Sequence, residues 1–161
     1  MAKKSSAKKS GAGKASAKDA QIVMQLYDLR REAKMREARD YLIVQFSPES
    51  ADDFIKLATA FGSKENAYFR QVYSYWNMAA ALVVQGAVDK DLFISWSTEM
   101  YFVWAKIQPY IQDVRAAMGI QEFLQNVESV VEGDVQGRKR REMLQQRQKK
   151  IREMRAAAGS R

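Results

Sequence analysis

A chain of 161 residues has room for one domain with short tails, and its 47% apolar content is enough to bury a core. There is no Cys and no His, which excludes disulfides and thiolate metal sites and removes both the commonest general base and the commonest zinc ligand. The net charge of +8 is unevenly placed: residues 1–18 hold six Lys and no acid, residues 137–161 ten basic residues against two Glu, and residues 19–136 eleven basic against seventeen acidic. The ends sum to +14 and the middle to −6, so charge directs a polyanionic partner to the ends.

Residues 1–18 carry no bulky apolar side chain after Met1. Such a segment cannot offset its ordering entropy and is expected to be a disordered, Lys-rich arm. It has charge but no apolar h-region, so no secretory signal is read there. A helical domain is expected over residues 19–136. Asp19 is the expected N-cap of a first helix, with Ile22, Leu26, Leu29 and Ala33 at helical spacing. Its far end turns apolar through Tyr41 to Phe46. Ser47 and Pro48 are expected to cap and open a second helix bearing Phe54, Ile55, Leu57 and Phe61, which stops at Gly62.

Ser63 is the expected cap of a third, central helix running to Gly86, with a stripe of Phe69, Val72, Trp76, Ala80 and Val83. Asp89 caps a fourth, with Phe93, Trp96, Met100, Val103 and Ile107 on one face, and Pro109 interrupts it. Tyr110, Ile111, Val114 and Met118 continue that face to Gly119, and a short helix is expected from Ile120 to Val131. Gly133 and Gly137 bracket an expected hinge. Residues 137–161 form a basic C-terminal helix or tail. Met143, Leu144, Ile151 and Met154 are too few, with Arg147 between them, to make a coiled coil, so a solvent-projecting helix is expected, docked lightly or disordered until bound. The fold class is therefore all-α, an array of five or six helices. Few Gly and Pro punctuators support it.

The aromatics Trp76, Trp96, Trp104, Tyr68, Tyr73, Tyr75, Tyr101 and Tyr110 fall on the core stripes. Periodicity assigns them to a core with polar tips at its rim, ahead of a ligand pocket. Glu65, Glu99, Asp113 and Arg115 lie beside apolar faces. Without a Glu-x-x-His pair they suggest surface charge or Arg–carboxylate pairs ahead of acid–base or metal chemistry. No nucleophile motif, metal set or cofactor-binding pattern is present, and an enzyme is not expected.

The functional signal is in the two basic ends. Lys3, Lys4, Lys8, Lys9, Lys14 and Lys18 form one cationic arm. Arg138, Lys139, Arg140, Arg141, Arg147, Lys149, Lys150, Arg152 and Arg155 form the other. They suit phosphate neutralisation without base stacking, because neither segment contains an aromatic residue. The expected protein is a non-enzymatic, cytoplasmic accessory protein that contacts nucleic acid or a ribonucleoprotein. The alternative is a protein-interaction module that docks a partner on its acidic body, with the tails only solubilising. A membrane role is disfavoured, since the C-terminal segment lacks Trp and Phe.

Three stretches resemble a known family. They are Arg39-Asp40-Tyr41-Leu42 leading to Phe46 and Phe54; Val72 to Asp89, reading VYSYWNMAAALVVQGAVD; and Trp104 to Ile111 followed by Arg115. Over about residues 25–130 the chain is similar to bacterial helical domains known as domain-of-unknown-function family 4760. The resemblance implies a helical fold and bacterial origin and carries no activity. Members often bear a membrane-spanning segment before the domain, where this chain has a basic arm instead.

Overall fold

The computed structural model describes residues 15–159, and Lys3, Lys4, Lys8, Lys9 and Lys14 lie outside them. Among the described residues the fold is all-α: nine α-helices with one π turn and one 3₁₀ turn, and no strand. The first helix, α1 (Ala17–Arg31), starts two residues ahead of its expected cap. Ser16 caps it, and Asp19 returns the bond from the third helical position to the Ser16 amide at 2.7 Å. Asp19 also accepts from the Asp89 amide at 3.0 Å, tying the start of α1 to a distant loop.

The single helix expected through Phe46 is broken at Glu32, whose ψ of 144° is extended. Glu32 caps the next helix, α2 (Ala33–Asp40), by accepting from the Met35 amide at 3.0 Å. The break bends the chain so that Leu26 and Met35 both reach the core. Helix α2 runs into the π turn Tyr41–Gln45, which buries Leu42. The expected Ser47–Pro48 start is also corrected. Ser50, in a capping box with Asp53, opens α3 (Ala51–Thr59), and Gly62 turns the chain with a φ of +85° that disfavours a side chain.

The central helix α4 (Lys64–Val84) follows expectation, capped by Ser63 and burying Phe69, Val72, Tyr73, Trp76, Ala79 and Ala80. It packs against α2, α3 and a later helix, α8 (Gln125–Glu132). Its buried Asn66 donates to the Leu57 and Ala58 carbonyls at 3.0 and 2.8 Å. That supplies partners at the end of α3, where the helix has no further amides to offer. The expected fourth helix is divided at buried Ser97 into α5 (Lys90–Trp96) and α6 (Thr98–Ile107). Pro109 lies in the 3₁₀ turn Gln108–Tyr110, and α7 (Ile111–Met118) ends at Gly119 with a φ of +67°.

Residues 120–124 are turns where a helix start was expected. Leu124 is almost wholly buried in a left-handed conformation, and Arg115 holds the turn by donating to the Phe123 carbonyl at 3.0 Å. Leu124 is the N-cap of α8, which therefore begins only at Gln125.

Of the expectations for the C-terminal segment, docking on the body is the one the structure shows. The segment does not project into solvent. Helix α9 (Val135–Gly159) lies along α6 and α8, with Leu144 only 5% exposed beneath it. Gly137 is inside this helix and not part of a hinge. A Cβ at Gly137 would collide with the Val131 carbonyl, so glycine sets how closely α9 approaches α8.

Candidate nucleic-acid interface

Two clasps fix the elements that carry the basic residues. The Trp104 indole N–H donates to Glu132 Oε1 at 2.7 Å, and Arg141 of α9 grips the same carboxylate at 3.1 and 3.2 Å. One acid thereby joins α6, α8 and α9. The Trp76 N–H donates to Glu99 Oε1 at 3.4 Å, and Arg39 holds Glu99 through three bonds of 2.6 to 2.9 Å, joining α2, α4 and α6. The Glu99 carboxylate holds the Arg39 guanidinium above its ordinary pKa. Arg115 pairs with Glu128 at 2.7 Å. The Arg39–Glu99 and Arg141–Glu132 pairs, which engage both carboxylate oxygens and are part-buried, are strong and directional. Trp76, Trp104, Tyr73 and Tyr101 are almost wholly buried core residues, as periodicity indicated. The Trp76 and Trp104 N–H groups reach carboxylates, the Tyr73 hydroxyl donates to the buried Val103 carbonyl, and the Trp96 N–H is buried without a partner among the described residues.

Docking sorts the cations of α9 into two sets. Arg138 donates to the Glu132 carbonyl. Arg140 donates to Thr98 Oγ1 at 2.6 Å and lies 4.7 Å from the Tyr101 ring centroid, a cation–π distance. Arg141 is held by Glu132, as described. Arg152 and Arg155 donate to the Pro48 and Val44 carbonyls at 2.9 and 3.1 Å. These five face the body. Lys139, Arg147, Lys149 and Lys150 are exposed, and their side chains make no hydrogen bond or ion pair among the described residues. Lys18 is exposed on the first turn of α1. Of the expected site residues within the described range, only Lys18 and these four present uncommitted charge.

The sequence reading missed Glu132 and Lys106. Lys106 donates to the Leu42, Phe46 and Ile43 carbonyls at 2.6, 2.7 and 3.3 Å, filling the acceptors left where the π turn ends. Burial and the nearby Arg155 and Arg152 guanidinium groups push its ammonium down to about 8, so it is charged at neutral pH. The available signal was a lone Lys inside the otherwise apolar run Tyr101–Ile107.

Between α9, α6 and the π turn lies an open groove of about 700 Å³. Ile43, Phe46, Phe102 and Ile151 form its apolar lining, and Lys106, Arg152 and Arg155 its charged wall. Among the described residues no group of three or more carboxylates is arranged to hold a metal, and no helix is long and apolar enough to cross a membrane.

The family model described as Domain of unknown function (DUF4760) matches residues 15–133. That span takes in α1 to α8 and stops just before α9. No curated protein and no solved structure matches the chain significantly.

Proposed function

The chain belongs to the DUF4760 family, which brings no activity with it, and we propose that the protein is a non-enzymatic accessory protein that contacts nucleic acid or a ribonucleoprotein in the cytoplasm. The supporting observation is the sorting of charge on α9. Five arginines are taken up by the body, while Lys139, Arg147, Lys149 and Lys150 remain on the outer surface of one rigid helix. That helix of 25 residues is about 37 Å long at 1.5 Å per residue, enough to follow several phosphates. The acidic remainder of the chain repels a polyanion and orients it toward α9. The Lys-rich first 18 residues add a second contact of the same chemistry. Neither segment offers aromatic stacking, so the contact is to the backbone and carries little sequence preference.

The test is fluorescence anisotropy of the full chain with a generic duplex and a generic RNA over a salt series. Each phosphate neutralised contributes roughly −0.9 to the slope of log affinity against log salt on duplex DNA. The four outward cations alone should give a slope of roughly −3 to −4, and the N-terminal lysines should steepen it. Affinity that stays flat from low to moderate salt would remove this reading.

A second reading has one observation in its favour. Leu29 and Met78, 55% and 46% exposed, flank a shallow cleft with Met35 and Tyr75 at the α1–α2 bend. Exposed apolar side chains gathered at a cleft suit a protein partner. The double substitution L29E/M78E in the full chain would abolish capture of such a partner and leave nucleic-acid binding intact.

A further inference from the structure

We infer that the groove between α9, α6 and the π turn is a binding site for a small anionic amphiphile, an aliphatic chain carrying a carboxylate or phosphate head. This goes beyond the nucleic-acid reading: Arg147 and Lys149 border both surfaces, but Lys106, Arg152, Arg155 and the apolar lining belong to the groove alone. Three features define the ligand. The first is charge. Lys106, Arg147, Lys149, Arg152 and Arg155 all border the groove, and among the described residues no Asp or Glu does. The partners of Lys106, Arg152 and Arg155 are neutral backbone carbonyls. Several positive charges therefore share one concavity without a counter-anion. Each Arg has five N–H donors, and Arg152 and Arg155 each use one, so donors remain for an incoming oxyanion.

The second feature is the apolar lining. Ile43, Phe46, Phe102 and Ile151 are half-buried, and the groove volume of about 700 Å³ lies within the range of small-molecule sites. An anion with no apolar body would leave this lining wet. The third is the state of the remaining polar groups. Gln145 donates to the Ala105 carbonyl at 3.2 Å and to Gln108 Oε1 at 3.0 Å, and its own oxygen accepts from Arg141 at 3.1 Å. Gln148 donates to the Phe102 carbonyl at 3.0 Å. Gln145 and the Gln148 amide N–H are thus engaged in holding α9, which leaves fewer groups to read a base or a sugar and favours a plain aliphatic chain over a nucleotide. Burial first, and then repulsion from Arg155 and Arg152, depress the Lys106 ammonium, and a bound anion would relieve the repulsion.

The experiment is calorimetric titration of the full chain with dodecanoate and dodecyl phosphate below their micelle-forming concentrations. Acetate, inorganic phosphate and uncharged dodecyl maltoside serve as comparisons. We expect one-to-one binding of at least one of the two amphiphiles, at least tenfold tighter than any comparison compound; the tighter head identifies the source, an acyl acid or a phosphate ester. Arg152→Gln with Arg155→Gln should weaken it tenfold or more, Ile151→Glu should do the same, and Lys139→Gln, away from the groove, should not. Amide shifts in the unsubstituted protein should map to residues 43–48 and 102–106, a readout independent of whether the variants keep α9 docked. Equal binding of the uncharged compound, head groups binding as tightly as the amphiphiles, or shifts confined elsewhere would overturn the inference.

Discussion

Helices α4 and α9 are the two longest in the fold, at 21 and 25 residues, and they are held in opposite ways. Helix α4 is fixed by bulk. Trp76, Tyr73, Phe69 and Val72 are almost wholly buried, and neighbours close on it from several sides. Helix α9 buries one large apolar side chain completely enough to count as core, Leu144. Most of the rest of its attachment comes from long polar side chains: Arg138, Gln145, Gln148, Arg152 and Arg155 reach carbonyls of other elements, and Arg140 and Arg141 bind Thr98 and the Glu132 carboxylate. A stripe of large apolar residues is one way to dock a helix. A set of donors matched to unsatisfied carbonyls is another, and it leaves almost no trace in hydropathy.

Substitutions should separate these two modes, and the largest effect belongs to α4. Trp76→Ala removes a fully buried indole and the Glu99 partner at once. It should cost about 3–5 kcal/mol and lower the denaturant midpoint of the whole domain. Leu144→Ala should cost about 2 kcal/mol or somewhat more, but the loss should be local. Amide exchange should speed up along α9 while α1 to α8 keep their protection. Gly137→Ala should act in the same direction as Leu144→Ala, because the new Cβ meets the Val131 carbonyl and pushes α9 off α8. A uniform loss of protection over both regions in either variant would show that α9 is not a separable unit.

Smaller effects lie at the caps. Ser50→Ala deletes one side of the Ser50–Asp53 capping box and should cost about 1 kcal/mol, seen as a modest shift of midpoint. The bonds from the Glu49 amide and from Ser50 hold the Asp53 carboxyl below its ordinary pKa, and bonds from Ser16 and the Asp89 amide do the same for Asp19. A lowered carboxylate stabilises the folded state above its unfolded pKa near 4, and that contribution fades as pH falls through the lower folded value. Acid titration of Asp53→Asn should therefore be flatter than that of the unsubstituted chain below about pH 4. Lys106 works in the alkaline range with the opposite sense. Its folded pKa of about 8 is below the ordinary lysine value, so the unfolded chain binds more protons between the two and stability rises with pH there. Lys106→Met should remove that rise.

The same comparison explains what could be read from sequence. The all-α class, the central α4, its cap at Ser63 and its stop just before Gly86 follow from apolar spacing and punctuation. The Trp and Tyr core follows from the same stripe. The breaks at Glu32 and Ser97 do not, because apolar spacing runs on through both and only tertiary packing decides where the chain bends. The docking of α9 was hidden for a related reason. Many of its partners are backbone carbonyls, of α6, the π turn and the 46–50 loop, and a carbonyl has no residue type to recognise. The basic residues were legible as a group. Their division into an inward and an outward set depends on the angle at which α9 lies, which Leu144, Arg141 and Gly137 set together.

The quadruple variant Lys139→Gln, Arg147→Gln, Lys149→Gln, Lys150→Gln tests the account most directly, because it removes the outward charge and touches none of the docking bonds. The measurement is the salt dependence of its binding to a generic duplex, alongside its denaturant midpoint. The account predicts a slope shallower by about three to four and an unchanged midpoint. A slope equal to that of the unsubstituted chain would contradict it.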